Sequence, residues 1–448
     1  MKKRILASLL AGAMVLSMAA CSGGKSAESS APESQAAPAG EDSAPADEGG
    51  TEATGALSGD LLIWSWDVAL NFLSEVSETF MEQNPDLNIQ CEEMGTDQVY
   101  NKLTTSLASG AGLPDLVTIE GEQMPKFSNK FPDSFLDLTD RINKDDWLPI
   151  KLAEATDSRG KIVAYPWDAA PCMMFYRRDF YENAGVNPEE IKTWDQFIEA
   201  GKKITAANEG VAMVPLATSR RDHIYRIMLM QQNKFYFDDA GNSCMDTPES
   251  IGAMEMTKKI YDAGITVNDT SWDDYVTSIK EGKVASVPDG IWMAGTIKDL
   301  SPEDSGKWGV MDMPQYSEST TGEASNGGSV LAIPASTQNP DAAIAFAEYT
   351  LTDLENVSKG LQVALYPSYV PAFELDDFNA TDDYFGGQNV LGMFKDIGGR
   401  IPQVNYTENF AEAYETNKNA VAKVVLENAD VTTTMQDVQK EFVTKFGK

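Results

Sequence analysis

The chain has 448 residues, 42% of them apolar, and a formal charge of −34 set by 69 acidic against 35 basic side chains. Such acidity argues against nucleic acid as a partner and against adsorption to anionic lipid, and it admits an anionic ligand only where local arginines compensate. A single histidine excludes His-rich metal sites and HExxH chemistry, so no metal or other cofactor is expected.

Met1-Lys2-Lys3-Arg4 is a basic n-region, Ile5 to Met18 is an apolar run too short to remain as a spanning helix, and Ala19-Ala20 is a small-residue cleavage site. Residues 1–20 therefore read as a signal peptide. Cys21, directly after the small residues, resembles the lipobox cysteine of bacterial lipoproteins, with Met18 where leucine is usual. The resemblance implies a diacylated Cys21 at the mature N-terminus, which suffices to anchor the protein on the outer side of the cell membrane. Residues 21–58 are Ser, Ala, Gly, Pro and acidic residues with hardly a branched aliphatic, which reads as a disordered tether. The remaining stretch of about 390 residues exceeds what one core usually encloses, so two domains are expected. Cys91, Cys172 and Cys244 make an odd count and read as small buried residues.

Leu61-Leu62-Ile63-Trp64 is a short buried strand, and Ala69, Phe72, Leu73, Val76 and Phe80 then recur at helical spacing up to Asn84-Pro85. Leu87 to Cys91 is the next strand, parallel to the first by the crossover rule. Ligands gather at the carboxyl ends of such strands, where Trp66 and Asp67 lie. A second unit, with Val99, Leu103 and Leu107 on a helix ending in Ser109-Gly110, leads to a strand from Pro114 to Ile119 with Glu120 at its end. Two apolar runs follow, Ile162 to Tyr165 and Cys172 to Tyr176, separated by a segment bounded by Pro166 and Pro171 that carries Trp167 and Asp168. Proline keeps that segment extended, as a connector between two lobes requires. Thr193 and Gln196 form a capping box for a helix burying Trp194 and Phe197, and Val211 to Leu216 is a strand. His223 to Gln231 is helical, and Thr247-Pro248 opens another helix. Val284 to Val287 delivers Asp289 and Trp292, once more a carboxylate and an aromatic at a strand end. Paired glycines Gly327 and Gly328 precede the strand Val330 to Ile333, and Tyr366 to Pro371 is a third Pro-bounded stretch, holding Tyr366 and Tyr369. The expected architecture is α/β, with a first lobe over 59–168 and 331–362, a second over 169–330 and 363–448, and three hinge segments.

Ile63-Trp64, Ala108-Ser109-Gly110 with Pro114-Asp115, Gly160 to Pro166, Phe175-Tyr176-x-x-Asp179, Thr193-Trp194-x-x-Phe197, Gly290-Ile291-Trp292 and Gly309-Val310 occur in an order that resembles the solute-binding proteins of bacterial ABC sugar importers, the group that includes maltodextrin-binding protein. The resemblance implies a two-lobe periplasmic-binding-protein-like fold of type II that closes on a carbohydrate, a monomer, and a membrane permease as partner. Trp64 to Asp67 and Gly327-Gly328-Ser329 look most like binders of small plant-derived sugars or short oligosaccharides. One departure is that Ala170 stands where the maltodextrin binder has a hinge carboxylate, with Asp168 two residues earlier and on the same face of an extended segment.

Independently of the resemblance, a pyranose offers hydroxyls suited to carboxylates and a C–H face suited to an aromatic plate. Asp67, Glu120, Asp168 and Asp289 are candidates for the first task, and Trp66, Trp167 and Trp292 for the second, while Trp64 and Trp194 read as core. Tyr366 and Tyr369 either serve the cleft or pack, and Arg220 and Arg221 are either rim residues or a solvated pair. The competing classes are a binder of another small solute, an enzyme, either a surface glycoside hydrolase using paired carboxylates or a Ser-His-Asp triad with His223 as its single candidate, and a metal binder using Tyr366 and Tyr369, for which no supporting histidine exists.

Overall fold

The computed structural model describes residues 56–447; the signal peptide, Cys21 and nearly all of the tether stretch lie outside them. Ten strands follow in chain order: β1 (Gly59–Ser65), β2 (Leu87–Glu93), β3 (Leu116–Glu120), β4 (Tyr165–Pro166), β5 (Cys172–Arg177), β6 (Val214–Ala217), β7 (Thr266–Asp269), β8 (Ser286–Gly290), β9 (Trp308–Met311) and β10 (Ser329–Ala332).

The first sheet has the order β2-β1-β3-β10-β4. β1 buries Leu61, Ile63 and Trp64, and the helix Asp67–Gln83 lays Phe72, Leu73, Val76 and Phe80 on the sheet before Asn84 ends it by bonding its side chain to the Phe80 carbonyl at 2.9 Å. β2 then returns parallel to β1, with Leu61 opposite Ile89. β3 also runs parallel to β1, after a helix Thr96–Ser109 that stops at Gly110 in the left-handed conformation. β10 is antiparallel to β3 and places Ser329 beside Glu120.

In the second lobe β5 pairs antiparallel with β8 and β9, β6 pairs parallel with β7, and a parallel bridge between Ala212 and Val284 ties the two groups together. Strands β6, β7 and β8 therefore point the same way. The capping box at Thr193 is formed as expected, and the helix Trp194–Ala207 buries Trp194, Phe197 and Ile204. Two C-terminal helices, Phe410–Leu426 and Val431–Phe446, complete this core with Phe410, Val421, Met435 and Phe442, a contribution that the sequence reading did not extract.

The chain passes between β4 and β5, back between β9 and β10, and across a third time near Tyr366. These passages lie side by side. The Ala169 amide donates to Tyr366 O at 2.8 Å, the Ser368 amide to Trp167 O at 2.8 Å, and the Asn326 amide to Ala170 O at 3.0 Å. Gly328 has φ +87°, and a Cβ there would lie 2.5 Å from the Asp168 carbonyl oxygen, so the close approach of two connectors requires glycine.

Candidate binding cleft

The carboxyl ends of β1 and β3 meet the connectors from one side, and those of β6, β7 and β8 meet them from the other. Side chains at those ends form two walls.

On the first wall Trp66 is half-buried, edge-on to Tyr100 at 6.2 Å. The Tyr100 hydroxyl donates to Glu120 Oε2 at 2.8 Å and accepts from the Glu120 amide at 3.1 Å. Burial, then the neighbouring Glu122 carboxylate, pushes the Glu120 carboxyl up to about 7. Lys151 lies fully buried below, its ammonium on Glu154, with room provided by bare backbone: a Cβ on Gly121 would come within 2.8 Å of Nζ and one on Gly328 within 3.2 Å. Asp168 accepts from the Ser329 amide at 2.8 Å; burial raises its carboxyl, against the pull of Lys151.

The second wall is organised on Asp289, which is fully buried. Its Oδ2 accepts from Arg221 Nη1 at 3.0 Å and from the Tyr275 hydroxyl at 2.7 Å, and its Oδ1 from Asn326 Nδ2 at 2.7 Å and the Gly290 amide at 2.9 Å. Asn326 in turn accepts the Trp292 indole N–H on its carbonyl at 2.9 Å. Arg221 sits 4.1 Å over the Tyr275 ring, and its Nε and Nη2 are buried without a hydrogen-bond partner. Arg226 joins the walls: Nη1 donates to Glu122 Oε2 at 2.6 Å, and Nη2 to Asn326 Oδ1 at 3.3 Å.

Trp66, Glu120, Asp168, Gly328 and Trp292 are thus gathered around the connectors. Asp67 is exposed at the start of its helix with φ 42°. Four expected binding residues have other duties. Asp289 has donors on all four of its acceptor positions and no capacity left for a hydroxyl, so it holds the wall from behind. Trp167 packs on Phe72 at 6.2 Å in the first core. Neighbours on an extended segment point to opposite sides, and with Asp168 turned to Ser329, Trp167 turns into the lobe. Tyr366 is fully buried against Phe373 and Phe378, and Tyr369 packs on Trp147 at 5.2 Å. Arg226, Asn326 and Lys151 escaped the sequence reading, and Arg221 was left open between rim and solvent. Arg221 could have been found, since it follows β6 as Asp67 follows β1; Lys151, inside the short helix Pro149–Glu154, carries no such signal.

His223 is buried, and burial together with Arg221 and Arg220 holds its imidazole well below the usual range. Its Nε2 hydrogen-bonds to nothing among the described residues, which provides no serine partner for a triad. No group of three or more His, Cys, Asp or Glu among the described residues is arranged to hold a metal ion. A cavity of about 540 Å³ lined by Tyr176, Arg178, Asn187 and Lys192 lies at the far end of β5 from the connectors. Its Arg178 is spent on the Trp308 and Phe385 carbonyls.

Residues 67–353 match the family of bacterial extracellular solute-binding proteins. The chain is 31% identical over 383 residues to the lactose-binding protein of Rhizobium radiobacter, covering 83% of this chain and 90% of that one. It is 26% identical over 389 residues to the arabinooligosaccharide-binding protein of Bacillus subtilis, covering 81% and 86%. Its fold is that of the ABC transporter associated binding protein of B. animalis subsp. lactis Bl-04, solved in complex with beta-1,6-galactobiose, at a TM-score of 0.74, 24% identity and 86% and 97% coverage.

Proposed function

The chain belongs to the bacterial extracellular solute-binding proteins, and from that membership we propose that it is the carbohydrate-capturing lipoprotein of an ABC importer, taking a mono- or oligosaccharide between its lobes and delivering it to a membrane permease. The observation that carries the reading is the pairing of an indole with polar groups on both walls: Trp66 and Glu120 both set against Tyr100, and Trp292 linked through Asn326 and Asp289 to Arg221. Trp faces cover the C–H side of a sugar ring, while Glu120, Asp168 and the unpaired Arg221 donors address its hydroxyls and ring oxygen. Relatives named for lactose and arabinooligosaccharide support the same ligand class.

A ligand touching both walls favours the closed arrangement only through its differential affinity for it. Rotation would be absorbed at Gly327 and Gly328, both at positive φ, and Cys21 would keep the binder at the membrane.

Isothermal calorimetry of the mature protein against mono- and oligosaccharides tests the reading. Saturable binding without turnover of a chromogenic glycoside is expected; turnover would assign the hydrolase class instead, and silence toward every sugar would remove the carbohydrate reading.

A further inference from the structure

We propose that Trp272 is a second ligand-facing plate beside Trp292, and that the two indoles seat consecutive rings of one glycan, so that the preferred ligand is a disaccharide or longer. This rests on the carbohydrate reading above and deepens it.

β7 ends at Asp269, on the same edge of the second lobe as the ends of β6 and β8, and Trp272 follows as the first residue of the helix Trp272–Lys280. It is 45% exposed, the one aromatic among the large exposed hydrophobic side chains of the described residues. The backbone beneath it is clamped from both sides. Ser271 Oγ accepts from the Asp274 amide at 3.0 Å, while Asp274 Oδ2 accepts from the Thr270 amide at 3.2 Å and hydroxyl at 2.5 Å. The cap fixes the backbone from which the indole projects, and the Tyr275 and Trp292 rings beside it restrict the side chain, so less entropy remains to be lost when a ligand covers it.

Its ring centroid stands 6.0 Å from that of Trp292, with the planes tilted by 42°, and 5.5 Å from that of Tyr275. Trp292 is fixed by its N–H bond to the Asn326 carbonyl, which leaves that indole only its face to offer. A single pyranose covers one indole and leaves the other in water. Two linked rings, inclined to each other across a glycosidic bond, cover both. Independently, Arg221 stacks on the far ring of the same patch, Tyr275, with Nε and Nη2 buried and unpartnered, so donors for a ring or linkage oxygen stand beside the plates.

Calorimetry on the full chain with the matched pairs glucose and maltose, galactose and lactose, and arabinose and arabinobiose tests the proposal. At least one disaccharide should bind tenfold or more tighter than its own monosaccharide. Trp272→Ala should remove about tenfold of that disaccharide affinity, or about 1.4 kcal/mol, a larger loss than it causes for the matching monosaccharide, so that the preference within the pair shrinks, while the thermal unfolding midpoint stays that of the parent. Trp272→Phe, which keeps an aromatic face, should recover part of the loss. Equal affinities within every pair, or a Trp272→Ala chain that binds the disaccharide as the parent does, would overturn the two-plate inference while leaving sugar binding intact. Absence of binding to all six sugars would instead overturn the carbohydrate reading, and this inference with it.

Discussion

Replacing Asp289 by asparagine tests the organisation of the second wall with almost no change in volume. The carboxylate accepts from Arg221, Tyr275, Asn326 and Gly290, two donors on each oxygen. An asparagine has one acceptor oxygen and one NH2 group, so whichever way the amide is turned at least one donor faces a donor: the Arg221 guanidinium on one side, since the Tyr275 hydroxyl can rotate to accept, or the Asn326 and Gly290 N–H groups on the other. The Arg221 guanidinium also loses its 3.0 Å counter-ion in a site where the carboxylate is fully buried. Removing one partner of a buried pair costs about 3–5 kcal/mol, and because the lost hydrogen bonds are part of that figure they are not added to it. Urea unfolding of Asp289→Asn at pH 7 should therefore give a midpoint well below that of the parent at an unchanged slope. The double variant Asp289→Asn with Arg221→Met, which removes the stranded cation as well, should recover part of the loss. A single variant that unfolds at the parental urea concentration would refute the assignment of Asp289 as the support of this wall.

Gly328→Ala should lower the thermal midpoint: the left-handed backbone alone costs an alanine about 1–2 kcal/mol, and its Cβ would meet the Asp168 carbonyl at 2.5 Å. An unchanged midpoint would mean that the connectors are not held at this spacing. The Glu120 carboxyl is raised from 4.5 to about 7 by burial and Glu122, so the folded chain holds a proton that the unfolded chain releases. Its contribution to stability is present below pH 4.5, falls as pH rises from there to about 7, and then levels. In unfolding measured across that window, Glu120→Gln should flatten this part of the profile, and an unaltered profile would contradict the buried placement. Cys21→Ala should move the protein from the membrane to the soluble fraction, since no helix of the described residues is long and apolar enough to cross a bilayer; retention in the membrane would remove lipidation as the anchor.

Much of the architecture was legible because it is locally encoded. The apolar spacing from Ala69 to Phe80 makes a helix wherever the chain places it, and the Thr193 and Gln196 side chains satisfy the amides of their own helix start. Pro166 and Pro171 keep the segment between β4 and β5 extended from within the segment itself. The C-terminal helices Phe410–Leu426 and Val431–Phe446 were legible in the same terms and went unread.

Which side chains face the cleft was decided by tertiary structure. Alternation along an extended segment puts Trp167 and Asp168 on opposite sides, but only the packing of Phe72 says which side is the core. Asp289 and Trp292 stand at one strand end and look equally available in sequence. One is saturated by donors from Arg221, Tyr275 and Asn326, residues brought in from three separate stretches of chain, while the other keeps its ring face. Position at a strand end is a property of the local pattern; spare hydrogen-bonding capacity is a property of neighbours distant in the chain, and it exists only once they are assembled.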